Sequence, residues 1–288
     1  MFVNRVRLLF RLFCSLLFIF LIAGCASNAI QSEKILANRN NLPIASTIEN
    51  VSFIDQSVGY CGPATLTMAM QHAGHAVKIE NIAAQVYTPG FKGSLQSDMI
   101  STSRRQGMTA IPIQDLSSLL SEVSDGNPVI IFQNLALSWM PQWHYALILG
   151  YDLQKKEIIM HSGHKAYTKI DMADFERSWR LGDYWGLVVL PAGKLAASAS
   201  ELSHAAAAVG LEQANKFNEA EISYRGILKK WPTSLVALIG LSNLTFKKGH
   251  YKETISLLKL ATKSHPESEA AKHNLTVAMS AGKHNEQK

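Results

Sequence analysis

The chain has 288 residues, of which 47% are hydrophobic and 17% charged, with three cysteines and a formal net charge of +6. That length supports one or two domains with a sizeable core. The composition excludes a disordered chain, a collagen and a disulfide-rich miniprotein.

Residues 1–24 read as an export signal. Arg5, Arg7 and Arg11 precede an apolar run from Leu12 to Ala23. That run is too short for a bilayer-spanning helix, which takes about 20 residues. It ends in Leu21-Ile22-Ala23-Gly24-Cys25, which resembles the lipobox of bacterial lipoproteins. The resemblance implies that Cys14 leaves with the signal and that Cys25 becomes a lipid-carrying N-terminus. Ala26 rather than Asp after the cysteine implies the outer membrane, facing the periplasm, in an organism that has one. Without residues 1–24, 28 − 3 = 25 basic residues face 22 acidic ones, so the charge falls to +3. No nucleic-acid-binding motif is present, and so small an excess predicts no nucleic-acid partner.

Residues 25–49 are polar and mixed and read as a lipidated tether. From 50 to 192 helix and strand signals mix. A helix is predicted from Cys61 to Gly74 and another over Asp115 to Val123. Strands are predicted over Pro128–Gln133, Tyr145–Tyr151, Glu157–Met160 and Trp185–Leu190. Helix first and strands later, without regular alternation, is an α+β pattern.

After Pro191 only helix signals remain, and an internal repeat appears. Pro232 and Pro266 are 34 residues apart, as are Phe217 and Tyr251, Ala220 and Thr254, Tyr224 and Leu258, and Leu241 and Leu275. This period resembles the tetratricopeptide repeat over about 200–282, as two repeats and a capping helix. Ala237 and Gly240 supply small residues for close helix packing. The resemblance implies a surface that recruits a peptide or protein partner.

Cys61 would be the lone thiol of the mature chain, able to form no internal disulfide. At a helix N-terminus its thiolate would be favoured. Gln56, five residues earlier, can offer an amide N–H beside the Cys61 backbone N–H, as an oxyanion hole requires. Gln56-x4-Cys61-Gly62-Pro63-Ala64 resembles the active-site segment of the bacteriocin-processing cysteine peptidases, papain-like enzymes that remove double-glycine leaders. Trp143-His144-Tyr145-Ala146-Leu147 resembles the family's histidine strand. The resemblance spans about 50–190. It implies an α+β papain-like cysteine peptidase domain followed by an all-α tetratricopeptide-repeat domain. Cys61 would be the nucleophile, Gln56 the oxyanion donor and His144 the proton shuttle acting on a peptide or protein substrate, with no cofactor and no metal. The family's orienting Asp or Asn is missing near Met160–Gly163. Asp152, on the turn after the histidine strand, is the candidate to replace it, and Ser162 or a backbone carbonyl is a weaker one. His72/His75 and His161/His164 are spaced like metal pairs but lack further ligands. Two other readings stay open: a catalytically silent adaptor, and transfer of the acyl group to an amine.

Overall fold

A computed structural model describes residues 29–56 and 59–286. The predicted export signal, and Cys14 and Cys25 with it, lies outside the described residues. Among the described residues no helix is long and apolar enough to cross a membrane.

The tether expected over 25–49 is corrected from residue 29 onward. Helix α1 (Ile30–Ala37) and strand β1 (Ala45–Thr47) take its place. The Glu176 carboxylate, fully buried, accepts the backbone N–H groups of Gln31 (2.9 Å) and Ser32 (2.6 Å). These are orphan donors of the first helical turn, which an anion satisfies well. The partner stands 145 positions away from Gln31, so local composition gives no sign of it.

The first domain continues with α2 (Cys61–His72), α3 (Ile79–Val86), a hairpin of β2 (Tyr87–Thr88) and β3 (Gly93–Ser94), and α4 (Gln96–Arg105). Then come β4 (Met108–Ile113), α5 (Leu116–Ser124), β5 (Val129–Asn134), β6 (Trp143–Asp152), β7 (Glu157–Ser162), β8 (Lys165–Asp171), α6 (Met172–Arg180) and β9 (Gly186–Pro191). The main sheet runs β4-β9-β5-β6-β7-β8, with β1 added to β6. Its hydrogen-bonded neighbours are antiparallel. Helices α2, α3 and α4 pack together, with α2 on β5, β6 and β9; α1, α5 and α6 form a second group on the sheet. Every residue from Tyr145 to Tyr151 is buried, as expected of a strand covered on both faces.

The expected helices and strands of this domain are present within a few residues of their predicted limits. α5 begins at a cap whose Asp115 side chain accepts the Ser118 N–H at 2.8 Å. Sequence reading missed α3, α4, β4, β8 and α6. β8 is a partly exposed edge strand with polar side chains, and α4 is mostly polar, so neither carries a clear apolar period.

The helical domain holds α7 (Glu201–Gln213), α8 (Phe217–Lys230), α9 (Leu235–Lys247), α10 (Tyr251–Ser264) and α11 (Glu269–Glu286). Helix starts recur at 34-residue steps, Glu201–Leu235–Glu269 and Phe217–Tyr251, compatible with a tetratricopeptide-like domain. A Cβ on Gly240 would lie 2.3 Å from the Tyr224 ring, so only glycine admits that tyrosine. The segment between β9 and the helical domain is tied to the first domain by polar contacts. Buried Glu122 accepts the Ser198 N–H (2.7 Å) and hydroxyl (2.6 Å), and Lys194 donates to Asn127 Oδ1 (2.6 Å).

Candidate active site

Cys61 is the first residue of α2, and Gly62 to Met70 behind it are all buried. The helix is thus fixed along nearly its whole length, and its N-terminus cannot drift. Gly62 is required sterically: a Cβ there would lie 2.4 Å from Ser94 Oγ. Thr65 Oγ1 donates back to the carbonyl oxygens of Cys61 (2.8 Å) and Gly62 (3.0 Å), and no side chain caps the helix's first N–H groups.

The half-buried Cys61 thiol lies against β6, where the Tyr145 backbone N–H points at the sulfur. His144 adjoins that amide in sequence, as the second residue of β6. Burial pushes the Cys61 thiol up, and the Tyr145, Gly62 and Cys61 amides oppose this only in part. Burial likewise pulls His144 down to about 4. The resting pair is therefore neutral thiol and neutral imidazole, in place of the thiolate expected from a helix N-terminus alone.

His144 Nε2 lies 3.0 Å from Ser162 Oγ. Asp152 is not brought to His144. It sits eight residues further along the same strand, about 26 Å away at a strand's rise per residue. There Oδ1 accepts the Gln154 and Lys155 N–H groups, both at 3.0 Å, and Oδ2 pairs with Lys155 at 3.3 Å. Side chains on one extended strand separate with every residue, so Asp152 cannot fold back. Ser162, not Asp152, is the side chain that meets the His144 ring.

Gln56 is 5% exposed. Its Oε1 accepts the Gly163 N–H at 3.0 Å and its own N–H donates to the Gly163 carbonyl at 3.2 Å. Its Nε2 has no partner among the described residues. Gly163 adjoins Ser162, so the residues anchoring Gln56 and His144 are consecutive.

The other histidines are engaged structurally. His161 is fully buried, with Nε2 3.2 Å from the Val51 carbonyl and Nδ1 accepting the Tyr167 N–H at 3.0 Å. His164 pairs with Asp55 at 2.9 Å, His72 bonds the Gly126 carbonyl and His75 meets Gln106. Among the described residues no three His, Cys, Asp or Glu side chains converge as a metal site. Trp179 and Trp185 are core residues, whereas Trp143 is half-exposed and stacks on Phe132 at 5.0 Å. Sequence reading missed a second aromatic pair flanking Cys61, Tyr60 stacked on Tyr87 at 5.1 Å. Its two members come from different elements, and their pairing has no local signal.

Residues 48–184 match the model of the Peptidase_C39 like family. No curated protein matches the chain. Similar solved structures include a Bacillus anthracis protein described as C39-like peptidase, at 16% identity and TM-score 0.44, covering 51% of this chain and 97% of that one. Another is a double glycine motif protease from an AMS/PCAT transporter, solved with the leader peptide, at 20% identity and TM-score 0.38, covering 50% and 93%. A third is the peptidase domain of Streptococcus ComA, a bi-functional ABC transporter involved in a quorum sensing pathway, at 15% identity and TM-score 0.41, covering 49% and 99%.

Proposed function

We propose that this chain, whose residues 48–184 match the Peptidase_C39 like family, is a membrane-tethered thiol peptidase or amidase. The observation that carries this reading is Gln56. Its amide is buried, its oxygen is fixed by Gly163, and its Nε2 is left without a partner among the described residues. A buried donor left unpaired costs about 1–3 kcal/mol. An oxyanion formed at Cys61 would offset that cost only during reaction, which is how a transition-state donor behaves.

The chemistry follows from the neutral pair. With the proton assigned to Nε2 toward Ser162, Nδ1 of His144 holds the free lone pair. Cys61 Sγ attacks the carbonyl carbon as its proton passes to Nδ1. Gln56 Nε2–H and the Cys61 N–H hold the oxyanion. The C–N bond breaks, the leaving amine takes the proton from His144, and a thioester remains. Water, deprotonated by His144, cleaves the thioester, and the proton returns to the thiol.

Cys25 supplies the lipid anchor in this reading, probing the periplasmic side of an outer membrane. The helical domain recruits a peptide or protein; a groove of about 210 Å³ lined by Asn243, Phe246, Asn274 and Val277 supports such a role. Serine in place of an orienting carboxylate favours a second reading, a silent adaptor that binds without cleaving.

Iodoacetamide labelling separates the two. With a neutral thiol, the enzyme reading expects His144 to act as general base in the alkylation of Cys61, so that His144→Ala slows it near neutral pH. A rate unchanged in His144→Ala would leave the adaptor. Cys61→Ala abolishes the cellular phenotype of an enzyme and spares that of an adaptor.

A further inference from the structure

Residues 135–143, from the end of β5 into the start of β6, read Leu-Ala-Leu-Ser-Trp-Met-Pro-Gln-Trp, with no charged side chain. Leu135, Leu137, Trp139, Met140 and Trp143 are all exposed, Trp139 by 75% and Met140 by 60%. The loop is held in shape from within. Buried Asn134 accepts the Ala136 (3.0 Å) and Gln142 (2.8 Å) N–H groups through Oδ1, and its Nδ2 donates to the Leu137 carbonyl at 3.3 Å. The Leu135 N–H reaches the Gln142 carbonyl at 2.9 Å and the Met140 N–H the Leu137 carbonyl at 3.0 Å. A polar frame thus holds large apolar side chains outward. Ordered exposure of this kind marks a contact surface. Tryptophan bounding an uncharged apolar run is the composition of a water–lipid boundary.

The start of the described chain indicates what covers it. β4 and β5 flank β9 and run the same way, with Ile113 and Ile131 both opposite Gly186. Their C-terminal ends therefore finish at the same end of the sheet. The apolar loop leaves β5 there, and Leu116 follows β4 there. The Leu116 N–H donates to Gln31 Oε1 at 2.7 Å. Glu176, which holds the N-terminus of α1, is two residues from Ser178, whose hydroxyl donates to Gln133 at 2.8 Å. Ala29 is thus fixed at the end of the molecule that carries the loop. Cys25 precedes Ala29 by four positions, a reach of at most about 14 Å of extended chain.

We infer that residues 135–143 dock into a lipid surface, so that the Cys61–His144 cleft opens beside the membrane; this rests on the reading of Cys25 as the anchor. The loop leads directly into His144, so the substrate class is a peptide lying on or emerging from the bilayer. A lipid anchor holds the protein near the surface, and the apolar loop fixes which end faces it.

The test holds residues 26–288 by an N-terminal hexahistidine tag on phosphatidylcholine–phosphatidylglycerol vesicles containing nickel-chelating lipid. It therefore does not depend on acylation. Brominated phosphatidylcholine should quench tryptophan fluorescence, and Trp139→Phe with Trp143→Phe should remove most of that quenching. Leu137→Ser with Met140→Ser keeps both fluorophores and should reduce the quenching, since it removes two of the five exposed apolar side chains offered to lipid. Absent quenching, or quenching unchanged in both variants, overturns the inference. So does a Leu137→Ser/Met140→Ser chain that raises KM for a soluble peptide without altering quenching, since the loop would then be a peptide subsite. The mass of Cys25 from membranes tests the anchor separately. An unmodified Cys25 with intact loop quenching would sink the anchor and still support the docking surface.

Discussion

His144 on β6 meets Ser162 on the adjacent strand β7, with Nε2 3.0 Å from Oγ. A hydroxyl can fix the ring's orientation and tautomer, as a carboxylate would, but brings no charge to stabilise an imidazolium. Burial then dominates, and the ring stays neutral down to about pH 4.

Ser162→Ala should therefore lower kcat by about tenfold, the worth of roughly one oriented hydrogen bond, with little change in KM. Ser162→Asp should raise the His144 pKa from about 4, because a carboxylate favours the charged ring. The acid limb of the alkylation rate against pH should move upward. An unmoved limb in Ser162→Asp would remove Ser162 from the site.

Gln56→Ala should lower kcat/KM for an amide substrate by about 10²–10³-fold, the usual loss for one oxyanion donor. Iodoacetamide forms no oxyanion, so its rate with Cys61 should stay within about twofold of the parent chain. A parallel loss in both reactions would make Gln56 a structural residue.

Acid should destabilise the fold through its buried histidines. His144, His161 and His204 all have pKa values lowered by burial. Above about pH 6.5 they are neutral folded or unfolded and contribute no pH dependence. As pH falls below that, the unfolded chain takes up protons that the folded chain refuses, so stability falls. Protonated His161 could no longer accept the Tyr167 N–H. Urea midpoints should drop between pH 7 and 5, and less so in His161→Gln. A flat profile would contradict the neutral assignments.

Glu176→Ala removes the carboxylate that holds the first turn of α1. Two charge-assisted bonds at a buried helix terminus predict a loss of about 3 kcal/mol. Urea unfolding measures it, and limited proteolysis should cut first near residues 30–37. A loss below about 1 kcal/mol would mean that α1 docks by its apolar face alone.

The α+β character of residues 50–192, the helix beginning at Cys61 and the 34-residue repeat were all legible in sequence, because each rests on local chemistry. Gly62-Pro63 suits the start of that helix, the apolar run at Tyr145–Tyr151 suits a covered strand, and similar helix pairs recur at a fixed period. Cys61, Gln56 and His144 were singled out as candidates through the resemblance of their segments to a family's cysteine and histidine segments. What tertiary structure alone decided were the long-range pairings. Ser162 reaches His144 because β7 pairs with β6, whereas Asp152, nearer to a carboxylate's expected chemistry, is carried off by the rise of its own strand. The polar stretch after residue 29 becomes helix because Glu176, far along the chain, meets its free amides. The thiol and imidazole are neutral because packing takes each out of water, and burial is a property of the fold that no spacing in the sequence records.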